Sequence, residues 1–247
     1  MTTVPTSSDD ALGEVRWGMG DAIIGWLVAY SCAAFLGYLV LKATGYAGSD
    51  VSESDYPIYV IALTTPLLWV GFVGVPIWAG QTKGNGWIHD FRVRFELIDV
   101  PVGIVAGLVT QFVIVPVVAW PILRMFHKTA SDMGTTAHDL ADKAARPWEI
   151  VLLFLMVAIG APLAEELFFR GLVMGSLTKT YGVVIGVIGS ALIFGATHFN
   201  ALLFVPLAFT GAVFALLVVK FERLGPAVVA HMSFNAATLV SLVGGRS

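Results

Sequence analysis

Seven stretches of nearly uninterrupted apolar sequence divide the chain, at 22–41, 57–79, 100–123, 148–177, 183–198, 201–219 and 224–243. A hydrocarbon layer of about 30 Å needs roughly 20 apolar residues per helix, so these stretches predict transmembrane helices. The first is uncharged and is not preceded by a basic segment, so it predicts a retained helix rather than a signal peptide. Residues 1–20 are small, polar and acidic and predict a disordered tail. Prolines at 66, 76, 101, 116 and 121 fall inside the second and third stretches and predict kinks.

Two segments break the apolar pattern. From Phe91 to Leu97 apolar and charged residues alternate with period two behind Trp87, which predicts that 80–99 lies in the membrane interface instead of crossing it. Residues 124–147 form a long polar loop. The expected fold is therefore all-α: a polytopic transmembrane bundle of seven to eight helices with a polar site inside it. Its parts are the tail 1–20, the N-terminal helices of 21–147 and a second group of helices in 148–247. Glycines paired at i and i+4 in GIVAG, GLVMG and GVVIG predict close helix packing and carry no functional information.

Composition narrows the class further. The chain of 247 residues is 57% hydrophobic and 13% charged, with a mean hydropathy of +0.83. That leaves no length for an appended soluble domain. A net charge of −3 without a basic run gives no reason to expect a nucleic-acid partner. Cys32 is the only cysteine and can form no intrachain disulfide.

Against this background the stretch APLAEELFFRG, residues 161 to 171, is out of place. An ionised side chain at mid-bilayer costs at least ~2.5 to 3.5 kcal/mol, so Glu165, Glu166 and Arg170 need partners, water or a function. Glu166 and Arg170 are spaced i, i+4 for an ion pair, which leaves Glu165 about 100° round the helix without a local counter-charge. Such a carboxylate suits acid/base chemistry. Gly160 and Pro162 predict a bend just before it and a polar cavity to satisfy the disturbed backbone.

Two more polar groups interrupt apolar helices: FGATH, with Phe194 and His198 one turn apart, and HMSFN, with His231 and Asn235 one turn apart. Separately, each has an ordinary structural explanation as an interfacial residue or as interhelical hydrogen bonding. Together they form an inventory for hydrolysis. Glu165 and His198 could polarise a water, with His231 and Asn235 donating to an oxyanion. The same donors, Glu165, His198 and His231, could hold one divalent metal such as zinc, and the spacing does not choose between metal and no metal. Convergence faces a depth problem, because His198 lies about 13 Å further along its span than His231 along a parallel one. A deeper start to the fifth span, or a re-entrant stretch after Leu172, would resolve it.

EELFFR, FGATH and HMSFN, in that order, resemble the EExxxR, FxxxH and HxxxN signature of the CPBP family of intramembrane proteases. This family is also called the CAAX protease or bacteriocin-processing family and includes the Rce1-type prenyl endopeptidases. The resemblance covers 148 to 243, so 148–247 is expected to be the group of catalytic helices. It implies a multi-pass endopeptidase cutting near the membrane face. Glu165 and His198 would activate water, Glu166 would support the site through Arg170, and His231 with Asn235 would form the oxyanion site. Relatives have been treated both as metalloproteases and as metal-free glutamate proteases. The implied partner is a peptide or membrane-protein substrate, lipid-modified in the eukaryotic relatives, within a lipid bilayer. The alternatives are a non-catalytic immunity or scaffold protein and a proton-coupled transporter, the latter disfavoured because the two halves show no repeat.

Overall fold

The structure is a computed structural model that describes residues 13–48, 50 and 55–245. Its described residues form helices and turns without a strand. Among the described residues six helices are long and apolar enough to cross a membrane: α1 (Met19–Ala43), α2 (Ile58–Lys83), α4 (Asp99–Met125), α7 (Pro147–Tyr181), α9 (Ala201–Phe221) and α10 (Gly225–Gly244). The others are α3 (Trp87–Asp90), α5 (Ala130–Met133), α6 (Thr135–Lys143) and the apolar α8 (Val183–Ala196). The all-α multi-pass architecture expected from the apolar pattern is thus observed.

The helices pack in neighbouring pairs, α1 along α2, α4 along α10 and α8 along α9. Glycine sets two of these approaches. A Cβ on Gly71 would strike the backbone of Ala29 and Gly25, and one on Gly107 would strike the Ala230 carbonyl. Small residues let backbones meet where no hydrophobic driving force separates helix from lipid. The aromatic core lies between these pairs and α7. Phe72 stacks on Phe168 at 4.5 Å, and Phe169 meets Phe194 edge-on at 5.3 Å.

Not every expectation about the connecting segments holds. Residues 13–18, expected within a disordered tail, are pinned: Trp17 is buried, its Nε1 donates to Asp90, and Lys179 donates to the carbonyls of Val15 and Trp17. The remainder of that tail, 1–12, lies outside the described residues. The interfacial segment is also more built than its alternation suggests, with Phe91 buried and Leu97 92% exposed. Asp99, at the head of α4, is fully buried and is clamped by Arg223, whose Nη2 and Nε donate to it at 2.7 and 3.0 Å. This pair ties the start of α4 to the α9–α10 turn. Polar residues 124–147 contain the short helices α5 and α6, with Ala141 and Ala144 buried beneath them.

α7 is continuous through the expected bend, and the disturbance takes the form of π-helical turns at 155–160 and 167–173. In the first, Ala161 N–H reaches back five residues to the Met156 carbonyl. The next N–H in that register would belong to Pro162, which has none. The same arrangement recurs in α4, where a π turn at 110–114 is followed by Pro116. Gly160 is explained by packing, since a side chain there would collide with the Trp69 ring of α2.

Candidate active site

The site is built on the middle of α7. Glu166 and Arg170 keep the expected i, i+4 pairing across the π turn, with Nη1 donating to Oε1 at 2.9 Å and neither side chain exposed. Arg170 also donates through Nη2 to the Gly211 carbonyl of α9 at 3.1 Å. Its guanidinium lies over Phe194 at 4.5 Å and over Phe214 at 5.5 Å. Removing a charge from water costs several kcal/mol, on the order of the pair's own attraction, so the extra donor contact and the two aromatic faces matter to its retention.

α10 completes this anchor. His231 is buried, its Nδ1 is 2.8 Å from Glu166 Oε1, and its Nε2 is 3.9 Å from Glu165 Oε2. Because the 2.8 Å partner is a carboxylate already held by Arg170, Nδ1 carries the proton and donates it. Nε2 then faces Glu165 across a gap longer than a hydrogen bond. The two adjacent glutamates are therefore unequal. Glu166 is wholly buried and takes two charge-assisted bonds, whereas the Glu165 side chain keeps 18% of its surface and makes no direct hydrogen bond.

His198 arrives by a different route. α8 has 14 residues, about 21 Å of helix and short of a 30 Å membrane core, and His198 follows its C-terminal end. Nδ1 of His198 is 2.8 Å from the Phe194 carbonyl, which can only accept, so this ring too carries its proton at Nδ1 and leaves Nε2 free. The imidazole sits edge-on to the Phe194 ring at 4.9 Å, and the His231 ring meets the same phenyl at 5.8 Å. The chain makes no re-entrant break after Leu172, since α7 runs to Tyr181 and α8 starts at Val183. The phenyl of Phe194 is packed against both histidine rings.

Asn235 of α10 reaches back to α7. Its Nδ2 donates to the Val157 carbonyl of α7 at 2.7 Å. The three donors considered for a metal, Glu165, His198 and His231, are not gathered. No group of three or more His, Cys, Asp or Glu side chains among the described residues is disposed to hold an ion.

Two contributors escaped the sequence reading, one of them from outside the 148–247 group. Tyr30 of α1 donates its hydroxyl to the Thr197 carbonyl at 3.0 Å, packs edge-on against Phe199, and lies within electrostatic range of Glu165. A tyrosine in an apolar helix gives no signal of such a role. The Gly211 carbonyl could not have been found at all, being backbone. A cleft of about 1170 Å³ opens between α3 and the far end of α7, bounded in part by Trp17, Arg92, Gly171 and Lys179; Glu165 is not in its wall.

Residues 147–237 match the family model for type II CAAX prenyl endopeptidases, Rce1-like, and this match contains Glu165, Glu166, Arg170, His198, His231 and Asn235. No curated protein and no solved structure gives a significant match to the chain. With its apolar helices the chain is an integral multi-pass membrane protein, and residues 147–237 form a domain similar to the Rce1-like type II CAAX prenyl endopeptidases.

Proposed function

We propose that this chain hydrolyses a peptide bond near the membrane face through a water activated by Glu165. The observation that carries this reading is the inequality of the two glutamates: Glu166 is fully buried and bound by Arg170 and His231, while Glu165 is partly open and faces His231 Nε2 at 3.9 Å. A carboxylate with a free oxygen next to a fixed, hydrogen-bonded framework is what general-base catalysis requires.

In this mechanism a water between Glu165 and the free Nε2 of His198 gives a proton to Glu165 as its oxygen attacks the scissile carbonyl carbon. The carbonyl π electrons move onto oxygen. His231 in its imidazolium form donates Nδ1–H to Glu166 and Nε2–H to the developing oxyanion. The intermediate collapses, the C–N bond breaks, and Glu165 returns its proton to the leaving amine. Glu166 and Arg170 hold His231 in place and touch no reacting atom. A bound divalent metal would supply Lewis acidity to the same carbonyl, and Glu165, His198 and His231 are the side chains that would have to close upon it.

The substrate class proposed from the family is a peptide ending in a prenylated C-a-a-X sequence. The test is cleavage of a farnesylated C-a-a-X peptide, and of its unprenylated counterpart, by the purified protein in liposomes. Cleavage abolished by Glu165→Gln supports the proposal. Cleavage that survives in Glu165→Gln refutes the role of Glu165, and cleavage of the unprenylated peptide at equal kcat/KM refutes the prenylated substrate class.

A further inference from the structure

We infer that Asn235 is a positioning residue: one N–H of its side-chain amide replaces the backbone donor missing at Pro162. This rests on the proposed reading of Glu165 and deepens it. The π turn at 155–160 sends Ala161 N–H back to Met156. In that register the Val157 carbonyl awaits the N–H of residue 162, and proline has none. Asn235 Nδ2 occupies that place at 2.7 Å. An unsatisfied carbonyl within a membrane helix is unfavourable, so a donor from a neighbouring helix is the standard remedy for a proline there.

The consequence reaches the site because the same two helices are joined twice. His231 and Asn235 lie one turn apart on α10, and they hold Glu166 and Val157 of α7 respectively. α7 and α10 run antiparallel, so the two bonds follow in the same spatial order along the interface. One bond alone would leave α10 free to pivot about His231. Two bonds set both the height and the rotation of the imidazole relative to Glu165, which is placed three residues after the proline. Pro162 and Asn235 thus work as a pair: the proline opens a carbonyl on α7, and the asparagine uses it to dock α10.

Four proteins test this: wild type, Asn235→Ala, Pro162→Ala and the double variant. Each is assayed for kcat and KM on the cleavable peptide and for its thermal midpoint in detergent. Asn235→Ala should lower kcat about 10²-fold, the scale of a small misplacement of catalytic groups, with KM nearly unchanged. Adding Pro162→Ala supplies an N–H at position 162 in register with Val157, so the double variant should recover most of the lost midpoint and the share of kcat lost through misplacement. Asn235→Leu, of similar size but without a donor, should behave as Asn235→Ala and be rescued in the same way.

A double variant as impaired in both kcat and midpoint as Asn235→Ala, with Pro162→Ala alone active, would overturn the inference. If the wild type cleaves nothing, the proposed function fails but this link is still decided by the midpoints. Rescue of the Asn235→Ala midpoint by Pro162→Ala supports it, and strictly additive midpoints overturn it.

Discussion

His231 Nδ1 and Glu166 Oε1 are 2.8 Å apart, and this contact joins α10 to α7 inside the bundle. It makes Glu166 the shared acceptor of a histidine and an arginine, both buried. The neighbouring Glu165 is left without a hydrogen bond, and the proposed division of labour between the two carboxylates follows from that difference.

Glu165→Gln and Arg170→Ala should separate activity from stability. Glu165→Gln should reduce cleavage by about 10²- to 10⁴-fold, the usual contribution of a general base. Its thermal midpoint should stay close to wild type, because no hydrogen bond is lost. Arg170→Ala should instead cost about 3 to 5 kcal/mol of stability by stranding one partner of a buried pair. Denaturation in detergent and peptide cleavage, measured on the same preparations, check both.

Arg223→Ala should destabilise by a similar margin, about 3 to 5 kcal/mol, since it leaves fully buried Asp99 without its guanidinium. This pair sits at the α4 and α9–α10 end of the bundle, away from the glutamates. The kcat of the folded fraction should therefore remain near wild type at temperatures below the midpoint. A fall in kcat without loss of stability would show that the α9–α10 turn governs His231.

Gly107→Val should disrupt the bundle more than its size implies. A side chain at 107 meets the Ala230 carbonyl and Ser233, so α4 must retreat from α10, and overpacking of this kind costs about 1 to 3 kcal/mol. The retreat shifts the helix that carries His231, so cleavage should fall together with the midpoint.

Dialysis against a strong chelator should leave peptide cleavage unchanged, because Glu165, His198 and His231 are not disposed as a donor set. Activity lost to the chelator and restored by zinc would show that these three side chains close around a metal during the reaction.

Much of this was legible before any coordinates. The apolar runs predicted the membrane helices because lipid demands long apolar segments whatever their partners. The Glu166 and Arg170 pair was readable because an i, i+4 contact is made within one helix and depends only on its local geometry. The order EELFFR, FGATH, HMSFN pointed to the family that the domain match supports. Tertiary packing alone decided what those side chains face across the bundle. Asn235 meets a carbonyl freed by a proline 73 residues earlier in the chain, Asp99 finds Arg223 across 124 residues, and Phe194 packs against two histidines of different segments. Periodicity constrains which face of a helix a residue occupies. The depth and rotation at which one helix docks on another come from glycine contacts, π turns and missing backbone donors, and these take effect only when the helices meet.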